Sequence, residues 1–194
     1  MSGAHSIAWY RPGRRIVVSD RMQTNYAYFL AARPGRGFAR GFRPEVSPAR
    51  MLRMGVFEGK YLNDCAREFP KEWFAAARRH NKLGPAADET RNEFRVKSRL
   101  SLGEWRRRGW IGRRDPDVRG WFQWYCRYWI GRRDPERDAV QIARWRAFVR
   151  HRAQILASYA RARPSARPRT RAEKRRHRPR QRQALLQWAY NPYC

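Results

Sequence analysis

Asp64, Cys65 and Glu68 form the one compact group in this sequence with catalytic potential. Asp64 and Glu68 stand one helical turn apart, a spacing that can hold a metal ion or an acid–base pair. Tyr61, Leu62, Cys65 and Phe69 share one face of the predicted segment from Gly59 to Phe69, so Cys65 reads as a core thiol and not as a nucleophile. Acids on a helix surface among arginines are ordinarily ion-paired. That is the expectation for Asp64 and Glu68, with catalysis on nucleic acid as the remote alternative. His5, His80, His151 and His177 are scattered and make no metal-ligand spacing with Cys65, Cys126 or Cys194. No metal and no cofactor are expected, and the residues specify no reaction.

The other chemistry is cationic. The 194 residues carry 45 Lys+Arg, 40 of them arginine, against 16 Asp+Glu, a net charge of +29. Self-repulsion of that size calls for a polyanionic partner. Guanidinium groups fork onto phosphate or guanine, so the expected partner is nucleic acid, DNA or RNA. Partner proteins in a larger assembly come second, and a membrane is not expected because the aromatics fall in core stripes. Arg113-Arg114 and Arg132-Arg133 stand in predicted turns beside helix starts, where backbone amides and guanidinium groups can converge on a phosphate. Arg144, Arg150 and Arg152 follow on a predicted helix face. Arg171, Arg175, Arg176, Arg178 and Arg180 follow in the tail. Trp124 falls off its helix's apolar stripe, so it is the candidate for base stacking, against the simpler reading that its helix is buried on two sides.

The elements that must position these residues read as mainly α. Residues 1–46 are an irregular basic arm rich in Pro-Gly turns, with short elements at Arg15 to Val18 and Asn25 to Ala32. Ser47-Pro48 starts a helix that Gly55 stops. Pro70 opens Lys71 to Asn81, with Trp73, Phe74 and Ala77 inward. Residues 84–100 read as a loop, and Ser101 to Glu104 as a capping box. The heptapeptide Trp110-Ile111-Gly112-Arg113-Arg114-Asp115-Pro116 then recurs as Trp129-Ile130-Gly131-Arg132-Arg133-Asp134-Pro135. Its content is punctuation: Gly is a left-handed stop, Asp an N-cap, Pro the first helical residue. Two copies predict three helices at about 101–110, 116–130 and 135–159, a helix-turn-helix-like run. The middle helix would bury Val118, Trp121, Phe122, Tyr125, Tyr128 and Trp129. The third would bury Ala139, Ile142, Trp145, Val149, Ala153 and Leu156, each helix keeping an arginine-rich outer face.

Residues 161–182 hold ten arginines, one lysine and one acid, with three prolines and no apolar period, and are expected to be disordered alone. Residues 183–194 form a last short helix that docks back. The organisation is therefore an arm (1–46), a helical domain (47–160), a basic linker (161–182) and a C-terminal helix, with the charge divided +11, +8 and +10 over 1–100, 101–160 and 161–194. Three cysteines without a CxxC suggest a reducing intracellular setting, cytoplasmic or nucleoid-associated, with organelle import a minor possibility. The longest uncharged stretch near the N-terminus, Met22 to Ala32, is too short to span a membrane.

Gly120 to Tyr128 with Gly131-Arg132-Arg133, the run Arg178 to Tyr190, and Gly55 to Tyr61 with Asp64-Cys65 and Glu68-Phe69-Pro70 resemble a group of uncharacterised small basic proteins, over residues 44–190. The resemblance implies a folded family and carries over no functional residue. The leading expectation is a compact multi-helix protein that neutralises nucleic-acid phosphates. The alternative is a structural subunit of a ribonucleoprotein or phage-like particle.

Overall fold

The computed structural model describes residues 5–194. The chain is mainly α: the described residues form eight α-helices, several short 3-10 segments and one two-stranded sheet. The two short elements expected in the arm are strands, β1 (Arg15–Val18) and β2 (Tyr26–Phe29), which pair as an antiparallel hairpin with Ile16 opposite Tyr28 and Val18 opposite Tyr26. The arm also supplies Tyr10, Leu30, Phe42 and Val46 to the core.

Local signals set the next helices as read. α1 (Pro48–Met54) has Ser47 as its N-cap, its side chain accepting from the Arg50 N–H, and ends at Gly55 with φ 105°. α2 (Lys71–Arg79) buries Trp73, Phe74 and Ala77. Between them Asn63–Glu68 winds as 3-10 turns broken at Cys65. α3 (Leu102–Arg107) starts at Ser101, whose hydroxyl accepts from Glu104 N–H.

The two copies of the repeat fold differently. In the second copy Asp134 caps α5 (Pro135–Ala147) by accepting from Arg137 N–H, with Pro135 at the first turn, and Gly131 ends α4 (Trp121–Ile130) at φ 120°. In the first copy the helix stops three residues early, and Gly109, not Gly112, takes the positive φ. Asp115 accepts from Asp117 N–H in a turn, and the next helix starts only after Gly120. The difference is tertiary. The Gly131 carbonyl accepts from the amides of Ala31 and Ala32, clamping the hairpin exit onto the end of α4. A Cβ at Gly131 would lie 2.0 Å from the Ala32 carbonyl oxygen, whereas one at Gly112 meets nothing within 4 Å. Gly131→Ala is therefore expected to destabilise by about 2–3 kcal/mol, and Gly112→Ala by less than about 0.5. Paired denaturant titrations check this, and equal midpoints would refute the asymmetry.

α4 has no outer face. Every residue from Trp121 to Tyr128 is buried, including Gln123, Trp124 and Arg127, so the expected arginine-rich side is absent from this helix. The predicted third helix is two. Phe148 and Val149 step to three-residue hydrogen bonding between α5 and α6 (Arg150–Arg161). That step shifts the helical phase. Asp138, Gln141, Ile142, Trp145 and Ile155 are buried, while Ala139, Val149, Ala153 and Leu156, expected inward, are exposed.

The tail is ordered here. Thr170 and Glu173 form a reciprocal capping box on α7 (Arg171–Arg176), and Glu93 holds it by ion pairs with Arg171 and Arg175. These contacts, invisible in the tail's own composition, order a segment expected to be disordered. α8 (Pro179–Gln187) docks as expected, burying Ala184, Leu185 and Leu186. Its Gln183 and Gln187 side chains bond backbone groups of Gly55, Phe57, Phe94 and Ser98. One hydrophobic cluster thus runs from Tyr10 to Tyr190. Among the described residues, no helix is long and apolar enough to cross a membrane.

Candidate functional site

Two constellations collect the chemistry-bearing side chains. The first is a buried ion network beside α4. The Arg127 guanidinium, fully buried, donates to both Glu68 carboxylate oxygens at 2.6 and 3.0 Å, to Asp117 at 3.2 Å, to the Pro116 carbonyl and to Gln23. Arg132 forks onto Asp117 at 2.8 and 2.7 Å. Arg119 forks onto Asp20 and reaches Asp64 at 2.8 Å. Tyr28 donates to Glu68 at 2.8 Å.

This settles the geometry of the Asp64–Glu68 pair. The two carboxylates face different arginines, Asp64 partly exposed and Glu68 buried, as the ion-pair expectation requires. Asp20, Cys65 and Glu68 do bring ligand atoms within 4.8 Å of one another. They do not fit a metal. Burial pushes the Cys65 thiol well above its ordinary pKa, so it stays protonated. Burial also raises the Asp20 carboxyl, but hydrogen bonds from Arg119 and from the amides of Met22 and Gln23 outweigh it and hold the carboxylate below its ordinary pKa. Guanidinium groups already occupy the carboxylates. The signal for this network was present in the sequence: Arg127 is the one charged residue in the run from Trp121 to Ile130.

The second constellation is a cleft of about 630 Å³ between α3 with the following Trp110, the α5–α6 joint, and α8. Its floor is aromatic. Trp188 stacks on Phe148 (ring centroids 4.6 Å apart) and lies 6.2 Å from Trp105, while Trp105 meets Trp110 edge-on at 5.4 Å. Its rim carries Arg99, Arg144, Arg150 and Arg180, and no acidic side chain lines it. Arg99 alone of these four is ion-paired, to Glu58. Burial, with the charge of Arg150 adding to it, lowers His151 below the ordinary imidazole pKa, so it is neutral at pH 7.

The predicted arginines therefore separate. Arg113 and Arg114 are exposed in their turn. Arg132 is buried against Asp117 and is not available to a ligand. Arg133 donates to the carbonyls of Tyr128, Arg132, Arg36 and Gly37 and lies 3.9 Å above the Tyr128 ring. Arg144, Arg150 and Arg180 meet at the cleft. Arg152 pairs with Glu45, and Arg171 and Arg175 with Glu93. Arg176 is exposed, and Arg178 is half-buried at the start of α8. Trp124 is fully buried, its Nε1 donating to Asp138 at 2.8 Å, so it cannot stack a base. The residues the sequence missed are Trp105, Trp110, Phe148 and Trp188, which come together only in three dimensions.

No family model, no curated protein and no solved structure matches the chain. The functional reading rests on its own side chains.

Proposed function

We propose that this protein binds nucleic acid by neutralising backbone phosphates with surface arginines. The observation that supports the reading is how the charge is spent. Among the described residues eleven arginines are ion-paired to acids, three of them (Arg119, Arg127 and Arg132) buried, and most of the 45 cationic side chains have no such partner. The remaining cations lie on both ends of the chain and on the helical body, so a long polyanion satisfies them better than a small one. Of the arginines singled out in the sequence, Arg113, Arg114, Arg150, Arg176 and Arg180 are exposed and outside these ion pairs. Arg144 and Arg146 hold themselves to the carbonyls of Trp110 and Arg40, which pre-orders them for phosphate contact rather than for reading bases in a groove.

Arg113 and Arg114 give the cleanest test because they are exposed and outside any ion pair. The double variant Arg113→Glu, Arg114→Glu is expected to fold like the parent and to bind duplex and single-stranded nucleic acid about tenfold more weakly at low salt, irrespective of sequence. Unchanged affinity for both would count against the reading.

A further inference from the structure

We infer that the cleft between α3, the α5–α6 joint and α8 holds one unpaired nucleobase of a single strand, with the neighbouring phosphates carried on Arg150 and Arg180; this rests on the nucleic-acid reading above. Three features favour that occupant. The cleft exposes apolar surface in a chain that otherwise hides its tryptophans: Trp110 is 38% and Leu100 40% exposed, and both line it. Trp110 is the ring left open to a base, and the floor beside it is rigid, since Trp188 is wedged between Phe148 at 4.6 Å and Trp121 at 4.7 Å. Its charged lining is entirely cationic. A planar ring attached to anions is what such a site complements, and a nucleotide fits a cleft of this size.

The strand also has a path outward. A shallower hollow between α6 and α8 shares Gln154 and Gln181 with the cleft and adds Arg161 and Arg178. Ring floor followed by arginine groove is the arrangement that binds single strands, where aromatic faces take bases and cations track the backbone. A duplex keeps its base faces stacked away from such a floor. Duplex therefore binds through phosphate alone.

The test uses the full chain and three probes of about a dozen nucleotides: a deoxythymidine strand, the same length of abasic strand, and the thymidine strand paired with its complement. At one low salt concentration the thymidine strand is expected to bind about 5- to 100-fold more tightly than the abasic strand, which has the phosphates without the rings. Trp110→Ala is expected to remove that preference and leave duplex affinity within about twofold. Trp110 lies outside the hydrophobic core cluster, so the variant keeps the fold, and its denaturation midpoint verifies this. Equal affinity of the parent for the thymidine and abasic strands overturns the base site while leaving the phosphate reading intact. A preference that survives Trp110→Ala moves the base away from this cleft and overturns it too. Failure of all three probes to bind overturns the phosphate reading itself.

Discussion

Replacing Arg127 with methionine is expected to remove about 3–5 kcal/mol of folding stability. The argument is one of unpaired charge. Arg127 is fully buried and holds Glu68 with two hydrogen bonds. Methionine fills much of the space and removes the cation, so Glu68 is left buried with the Tyr28 hydroxyl as its remaining donor. Asp117 keeps Arg132 and suffers less. Smaller effects should follow in order. Glu68→Gln retains an acceptor for Tyr28 and leaves Arg127 with Asp117 as its remaining counter-charge. Asp64→Asn loses a half-exposed partner of Arg119, which still forks onto Asp20, and should cost less than about 1 kcal/mol. Denaturant midpoints of the three variants check the ranking. An Arg127→Met midpoint within about 0.5 kcal/mol of the parent would show that these ion pairs do not hold the fold together.

That ranking also shows what a sequence can and cannot disclose here. Helix starts were legible where the signal is local: Ser47-Pro48 and Asp134-Pro135 satisfy free amides with their own neighbours. The identical Asp115-Pro116 opens no helix because side chains of Gln23 and Arg127 take the Pro116 carbonyl, whereas Ala31 and Ala32 bond to Gly131 and fix the second copy. Trp121, Phe122, Tyr125 and Tyr128 are buried on α4 as their spacing predicts, while Val118 precedes the helix and is half-buried like Trp129, and the helix's other side is not legible in the sequence. Periodicity reports which residues are apolar, and Arg127 and Gln123 are buried by partners distant in sequence. Asp64 and Glu68 were visible as a pair, yet their arginines come from a segment more than fifty residues away. The cleft was illegible for a related reason. Trp105, Phe148 and Trp188 belong to three separate elements, and no spacing in the chain links them.

Binding to nucleic acid is expected to weaken by about four orders of magnitude between 50 and 200 mM salt, if on the order of eight phosphates are neutralised. The size of the effect follows from where the cations are. Arg119, Arg127, Arg132 and Arg182 are buried and already bonded, so they release no counterions from a ligand. Arg152, Arg171 and Arg175 must first leave Glu45 or Glu93, which reduces what they can contribute. Exposed arginines without acids pay no such cost, and they set the slope. A logarithmic plot of affinity against salt should therefore fall with a slope near about −7 for duplex. The Arg113→Glu, Arg114→Glu variant should flatten it by about 2. Anisotropy titrations with a labelled duplex measure both. An affinity that changes less than about threefold over that range would mean that phosphate neutralisation does not drive binding, whatever the net charge.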